Sequence, residues 1–389
     1  MLLLLPFLSF TFAGDILQTS ILVFRHGDRT PFVFIPTDIY NSSSWPGAKG
    51  PGQLTSNGKE QLLRAGEFFK ARYLDPLKDT YLDLAPGYKS DEVYVRSTDT
   101  DRTIGSARCF LAGFFSSPGE GNNVSSSIDV CTSIVPVHTV PEYLDSIAAD
   151  IGGYRRNCPS YVGIRREAIF NNQEFLDFMK ENSSGVMKIL EIAGVELKNP
   201  SDLIEMVYSV KYPVFDSLQR EISAGLPLKE EFAHERLYHS SKSIFELMLR
   251  TDYGPHMTNL KKSLDCGRFL REVKQRVIAT AEGHSDAKKL VVYVTHDVTL
   301  SALLTCLGVY DLKMIPTATA VMLEVWEGED GELSVAVSRY HEGDGVLEYT
   351  LPGCGNDRCT LESFLDVNTQ LELTEEQFRT ICDRDIIIM

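Results

Sequence analysis

Ile21-Leu22-Val23-Phe24-Arg25-His26-Gly27-Asp28-Arg29-Thr30-Pro31 is the stretch whose reading decides the fold. Four apolar residues in a row suit a short strand buried on both faces, as in a parallel sheet. The chain then turns polar at once: two arginines flank a histidine, and a glycine stands directly behind it. Half-burying two like charges beside a titratable ring costs free energy unless an anion joins them. Phosphate suits two guanidinium forks, because its oxygens accept bidentate donors. The stretch therefore predicts a strand that delivers His26 into an anion site, with Gly27 allowing close backbone approach.

Two further runs end in the same way. Glu92 to Arg96 is a second short strand that closes on an arginine, and Ser97 to Thr103 carries cap chemistry for a helix through Ala107 to Phe115. Lys289 to Thr295 is a near-continuous apolar run of parallel-sheet type. It delivers His296-Asp297, and Val298 to Leu307 then reads as a helix. Leu62, Leu63, Ala65, Phe68 and Phe69 make a helical stripe within Gln61 to Tyr73, with Thr55 or Ser56 as N-cap. Thr319 to Trp326 and Leu333 to Tyr340 are strand-like and extend the sheet as an antiparallel hairpin. From about Glu142 to Tyr253 the pattern is mostly helical, with helices expected over Phe170–Lys180, Gly185–Ala193 and Phe232–Arg250. The expected fold class is α/β: a mainly parallel sheet flanked by helices. Its core spans residues 15–118 and 256–389, and a smaller helical cap, residues 119–255, is inserted between them.

In open parallel sheets, ligands bind beyond the carboxyl ends of the strands. That rule gathers Arg25, His26, Arg29, Arg96, His296 and Asp297, though they lie far apart in sequence. Arg25, Arg29 and Arg96 would neutralise a phosphate dianion and the charge of an in-line transfer. A neutral His26 could attack phosphorus. His296 would add a hydrogen bond to the phosphate, and Asp297, when protonated, could give its proton to the leaving alkoxide. Asp28 and Asp99 read as residues that orient arginines or cap turns. His138, His234, His239, His256, His284 and His341 have no metal-ligand spacing, and there is no Walker lysine loop or GxGxxG, so no metal and no cofactor is expected.

Composition narrows the partners. The chain has 389 residues, 43% hydrophobic and 24% charged, with a net charge of -16. So acidic a chain is a poor match for nucleic acid or an anionic membrane surface. A phosphate site here needs its own local cluster of arginines. Met1 to Ala13 is apolar and too short to span a bilayer, and it reads as the body of a signal peptide over residues 1–14. No later run is long enough to span a membrane. Eight cysteines fit an oxidising compartment, and Cys354 and Cys359 are close enough in sequence to close a small loop. Asn41, Asn123 and Asn182 head sequons and are candidate glycan sites.

Arg25-His26-Gly27-Asp28-Arg29-Thr30-Pro31 closely resembles the signature of the histidine acid phosphatases, the branch that holds the prostatic and lysosomal acid phosphatases and, more distantly, the phytases. Tyr94 to Thr103 is similar to the family's second arginine segment, His296 to Leu303 to its His-Asp segment, and Leu351-Pro352-Gly353-Cys354 with Cys359 to its C-terminal cysteine loop. The matches come in family order and span most of the chain. The resemblance implies a phosphoglycerate mutase-like α/β core with a helical cap, and a phosphohistidine on His26. It also implies phosphate binding by Arg25, Arg29, Arg96 and His296, proton donation by Asp297, no metal, and frequent homodimers. It further implies pairing of Cys158 with Cys382 and of Cys354 with Cys359; Cys109 with Cys131 and Cys266 with Cys306 are the pairs left over. The expectation is a secreted acid phosphatase acting on small phosphate monoesters, with the lysosomal lumen as the alternative location. A phytase-like inositol phosphate phosphatase is the alternative enzyme. A secreted phosphate-binding protein without turnover is the alternative that is no enzyme, and the presence of both His26 and Asp297 weighs against it.

Overall fold

The computed structural model describes residues 14–41, 45, 48–85, 87–115, 135–147, 158–228, 230, 235–355 and 358–383. Strand β1 (Ile16–Arg25) is followed by α1 (Ser56–Tyr73), β2 (Val93–Ser97) and α2 (Asp101–Phe114). A helical stretch comes next: α3 (Pro159–Phe170), α4 (Gln173–Ala193) and α5 (Leu203–Ser209). A π-helical turn, Val210–Asp216, joins α5 to α6 (Ser217–Ser223), and α7 (Glu235–Tyr253) follows. Then α8 (Asn259–Lys262) passes through a second π-helical turn, Ser263–Gly267, into α9 (Arg268–Ala281). The chain returns to the sheet with β3 (Leu290–Thr295), α10 (Asp297–Leu307), β4 (Ala320–Glu327), β5 (Leu333–His341), β6 (Gly345–Tyr349) and β7 (Arg358–Thr360), and ends in α11 (Leu361–Asp366) and α12 (Glu375–Cys382).

The sheet runs in the order β2-β3-β1-β4-β5-β6, with β7 also on β5. The three strands read as site carriers are its parallel part, because β3 pairs in parallel with both β1 and β2. β4 lies antiparallel to β1 and β5 to β4, as the hairpin reading expects, and β6 and β7 add antiparallel edges. Ile21, Leu22, Val23 and Phe24 are wholly buried because both faces of β1 are covered. Ile21 and Val23 enter a core with Phe269, Leu270 and Val273 of α9 and Leu300 and Leu303 of α10. Leu22 and Phe24 enter a second core with Leu62 and Phe69 of α1 and Phe110 and Phe114 of α2. Successive strand residues point to opposite faces, so a strand with helices on both sides loses the usual polar alternation.

Helices α3 to α7 enclose a third apolar core, with Phe175, Met179, Val207, Val214, Leu218 and Met248 among its members, and Ile35 of the loop after β1 inserts into it. Two sequence expectations are corrected here. The separate helices over Phe170–Lys180 and Gly185–Ala193 are one helix, α4, because nothing crowds Gly185 and one apolar face runs the whole length. Phe170 instead closes α3, and Asn172 caps α4 by accepting from the Phe175 N–H at 3.3 Å. The Cys158–Cys382, Cys266–Cys306 and Cys354–Cys359 disulfides are formed. Residues 1–13, Asn123 and Cys131 lie outside the described residues, and with them the signal peptide body, one sequon and the Cys109–Cys131 pairing. Asn41 and Asn182 are exposed.

Candidate active site

The parallel register brings the three strand ends level. Arg25 of β1 stands opposite Thr295 of β3, and Ser97 of β2 stands opposite Val294. The residue after β1 is His26 and the residue after β3 is His296, so the two imidazoles meet with ring centroids 5.6 Å apart. Both are buried. Helices α2 and α10 start at this same edge, so their N-terminal dipole ends face the cluster.

The loop after β1 is held by close backbone packing. A Cβ on Gly27 would lie 2.2 Å from the Gly58 carbonyl oxygen, and a Cβ on Gly58 would lie 2.1 Å from the Asp28 carbonyl oxygen. Thr55, the N-cap of α1, donates to Asp28 Oδ2 at 3.0 Å and accepts from Gly58 N–H at 3.1 Å. The Gly27 N–H donates to Ser106 Oγ of α2 at 3.0 Å. Helices α1 and α2 thus clamp the chain on either side of His26.

These constraints set the tautomer of His26. Its Nδ1 lies 2.7 Å from the Gly27 carbonyl oxygen, which can only accept. Nδ1 therefore carries the proton and Nε2 keeps a lone pair. Burial, then the charges of Arg102 and Arg25, hold His26 well below the usual histidine range, so the ring is neutral. The state of His296 follows by the same logic. Arg102 Nη2, which can only donate, lies 3.2 Å from His296 Nδ1. Nε2 then holds the proton and gives it to Thr98 Oγ1 at 3.1 Å, which donates onward to Thr103 Oγ1 at 2.9 Å. Burial and Arg102 keep this ring neutral too.

Arg25, Arg29, Arg96 and Arg220 each have a carboxylate. Arg25 Nη2 lies 2.9 Å from Asp297 Oδ2, and Nη1 donates to the Ile315 carbonyl. Burial pulls its pKa down to about 10, against the pull of Asp297. Arg29 grips Asp216 with both Nη atoms, at 2.8 and 3.0 Å, and stacks 3.7 Å over the Phe32 ring. Arg96 donates to the buried Asp145 at 2.7 Å. Arg220 of α6 reaches back to Asp28 Oδ1 at 2.9 Å, which makes Asp28 an orienting residue as its position in the sequence suggested. Arg25, Arg29 and Arg96 each keep a buried Nε–H that meets no acceptor among the described residues. Asp297 begins α10 and accepts its Val298 N–H at 2.9 Å. Burial alone would raise its pKa, but Arg25, backed by Lys211 and Arg29, holds its carboxyl well below the usual range.

All six residues singled out in the sequence thus stand at one edge of the sheet. Arg102, Asp145, Asp216 and Arg220 were missed. Arg102 carried a signal: it stands in the first turn of α2, in the same Tyr94–Thr103 segment that carries Arg96. Asp216 carried none, since it is 187 positions from Arg29 and sits in a π-helical turn of the helical layer.

Two cavities open above the cluster. A small one, about 50 Å³, is bounded by Arg25, Arg29, Asp216, Arg220 and Asp297. A larger one, about 500 Å³, lies between α3, α5, α7 and α10 and reaches Asp297. Among the described residues, no group of three or more His, Cys, Asp or Glu is gathered as for a metal, and no helix is long and apolar enough to cross a membrane.

The family profile described as the Histidine phosphatase superfamily (branch 2) matches residues 16–340. The chain belongs to this branch of the histidine phosphatase superfamily. Among curated relatives it is 33% identical to the prostatic acid phosphatase of Mus musculus over 349 residues, 89% of this chain and 84% of that one. It is 30% identical to the lysosomal acid phosphatase of Xenopus laevis over 345 residues, 88% and 74% of the two chains. Among solved structures, the phytase of Hafnia alvei in complex with tartrate superposes with a TM-score of 0.62 over 93% of this chain and 98% of that one, at 15% identity. The phytase from Citrobacter braakii superposes with a TM-score of 0.61 over 92% and 98%, also at 15% identity. At that identity the likeness is one of fold.

Proposed function

We propose that this chain hydrolyses phosphate monoesters at acidic pH through a covalent phosphohistidine on His26. The observation that carries the reading is the Nδ1–H tautomer of His26: it leaves the Nε2 lone pair free on a ring that feels the guanidinium charges of Arg102, Arg25 and Arg29. The phosphoryl oxygens would take the donors of Arg25, Arg29 and Arg96, whose Nε–H groups await acceptors. Nε2 forms the bond to phosphorus, and the bond from phosphorus to the ester oxygen breaks. Asp297 gives its proton to that oxygen, then takes one from the water that attacks the phosphohistidine; phosphate leaves and His26 is regenerated. Asp297 is a carboxylate while Arg25 holds it. A bound phosphate dianion draws Arg25 to itself and so lets Asp297 gain the proton it must donate. His296 donates to the phosphate once Arg102 turns from its Nδ1 to the anion and that nitrogen takes up a proton, which the bound anion favours.

A secreted or lysosomal site of action belongs to the same reading and is supported by three disulfides. So does the division into a core of residues 15–118 and 256–389 with 119–255 inserted, which the separate apolar core of α3 to α7 supports. A homodimer is expected from the family resemblance and is read by sedimentation. The monoester reading is preferred over inositol hexakisphosphate because the arginines and lysines around the large cavity mostly carry carboxylate partners.

The deciding experiment is hydrolysis of 4-nitrophenyl phosphate from pH 3 to 8 by the parent and by His26→Ala. The substitution should cost at least about 10³-fold in kcat and abolish the acid-labile, alkali-stable phosphoenzyme. Full activity in His26→Ala would sink the nucleophile assignment. Release of phosphate from inositol hexakisphosphate faster than from simple monoesters would favour the phytase-like alternative.

A further inference from the structure

Lys211 stands apart from every other charge around the large cavity. It projects from the π-helical turn between α5 and α6 and lines both cavities. Arg165 is taken by Asp252, Lys261 by Asp265, Asp202 by Arg166, and Asp297 by Arg25. Glu205 accepts the backbone N–H groups of Lys198 and Asn199. No hydrogen bond or ion pair with a described residue holds the Lys211 ammonium. It is boxed instead by three rings, with centroids 4.9 Å away in Tyr212, 5.6 Å in Phe245 and 5.7 Å in Tyr208. Burial by itself would favour the neutral amine, but Tyr212, Asp297 and Asp252 outweigh it and the ammonium stays charged.

We infer that Lys211 is a specificity-determining residue that reads an anionic group on the leaving part of an aromatic phosphate monoester. The inference rests on the phosphatase reading above. Its geometry follows from Asp297, which borders both cavities: once phosphate occupies the arginines, the leaving oxygen faces Asp297 and the leaving group enters the larger cavity. Tyr212, Phe245, Val298 and Met314 line both cavities with Lys211 among them, and Tyr208 lies deeper in the larger one. Aromatic walls favour a ring, through offset or edge contacts. A half-buried ammonium that no described carboxylate contacts favours a carboxylate on that ring, since each completes the other's charge-assisted hydrogen bond. One such cation suits one extra negative charge, not a polyanion.

The test compares phenyl phosphate with 4-carboxyphenyl phosphate, at a pH where the carboxyl group is ionised. The parent should prefer the carboxylated ester in kcat/KM, and added salt should erode that preference. Lys211→Met should lower kcat/KM for the carboxylated ester about tenfold and for phenyl phosphate about threefold or less, the loss of one charge-assisted contact. Lys211→Arg should keep the preference, and Lys211→Glu should invert it. An equal loss on both esters would place Lys211 on the phosphoryl group or in the scaffold and overturn the inference. A parent that prefers the neutral ester overturns it without any variant, so poor folding of Lys211→Met cannot hide the answer. A parent that cleaves neither ester overturns the phosphatase reading itself.

Discussion

His26 and Asp297 differ in what burial has done to them. Burial and arginine charges both disfavour imidazolium, so His26 stays neutral well into acid and its protonation does not limit the acid side of the rate profile. Asp297 has burial and Arg25 pulling in opposite directions, and Arg25 wins until phosphate competes for it. In the proposed reaction the proton donor is thus made by the substrate. Asp297→Asn should therefore lower kcat/KM, which reports phosphorylation of His26, by about 10²–10⁴-fold for esters with poor leaving groups, such as alkyl phosphates, and far less for 4-nitrophenyl phosphate. Rapid-quench kinetics of the variant should show a burst of nitrophenol followed by slow turnover, because water attack on the phosphohistidine loses its base. An equal loss of kcat/KM for both ester classes would remove Asp297 from the donor role. Asp216 has a different part. Its bidentate grip fixes Arg29, and Asp216→Ala leaves that guanidinium buried without its carboxylate. Removing one partner of a buried pair costs about 3–5 kcal/mol at most. Urea unfolding should report a loss of this sign, and saturating inorganic phosphate should recover more of it than it adds to the parent. Arg29 and Asp216 also mark where reading by sequence stops. The strand-end cations could be read from runs that finish in Arg or His, but the carboxylates that hold them come from distant loops and turns with no local pattern.

At the scale of elements, the site is built where one loop is pressed between two helix starts. Gly27 and Gly58 pass each other with no room for a side chain, and the Thr55 cap ties α1 to Asp28. Gly58→Ala would drive a methyl group into the Asp28 carbonyl and push the loop that carries Arg29. A misfit of that kind costs about 1–3 kcal/mol in stability. The larger effect is expected in kcat/KM, since displacing Arg29 loosens the phosphate grip. Thermal melting and kinetics measured together check this, and unaltered kcat/KM in a folded Gly58→Ala would show that the loop is not held by this contact. The Thr55 cap and the ends of β1 and β3 were legible because each has a local signature: a capping side chain, or an apolar run broken by charge. The single helix α4 was not, because Gly185 reads as a break, yet a glycine on an open helix face costs only about 1 kcal/mol. Strands β6 and β7 were not legible either. They are short edge strands, and β6 is largely exposed, so neither leaves a buried apolar pattern.

Over the whole molecule, buried groups of opposite tendency set how stability varies with pH. Glu221 of α6 is buried against Asp38 of the loop after β1. Burial first, then the charge and hydrogen bond of Asp38, push its pKa up to about 9 from 4.5. The folded protein keeps this proton after the unfolded chain has released it. Its stabilising contribution is full below pH 4.5 and drains as pH rises toward 9, by about 1.4 kcal/mol per pH unit. His26 and His296 act the other way. Both are held neutral, whereas histidines of the unfolded chain take up protons below pH 6.5. Two such groups cost about 2.7 kcal/mol per unit as pH falls below that point. Asp297 adds a further loss in stronger acid, once pH falls below the 3.8 of a free aspartate. Between pH 4.5 and 6.5 the histidines outweigh Glu221 and stability rises with pH; of these groups only Glu221 acts between 6.5 and 9, and there stability falls. The melting temperature without phosphate should therefore peak near pH 6.5. Glu221→Gln should flatten the alkaline limb and steepen the acid limb between pH 4.5 and 6.5, where Glu221 opposes the two histidines. Inorganic phosphate should flatten the acid limb instead, because the bound anion offsets the arginine charges that keep both histidines neutral. Differential scanning calorimetry from pH 4 to 9 separates these effects. An alkaline decline that survives unchanged in Glu221→Gln would mean that the Glu221–Asp38 pair does not control it.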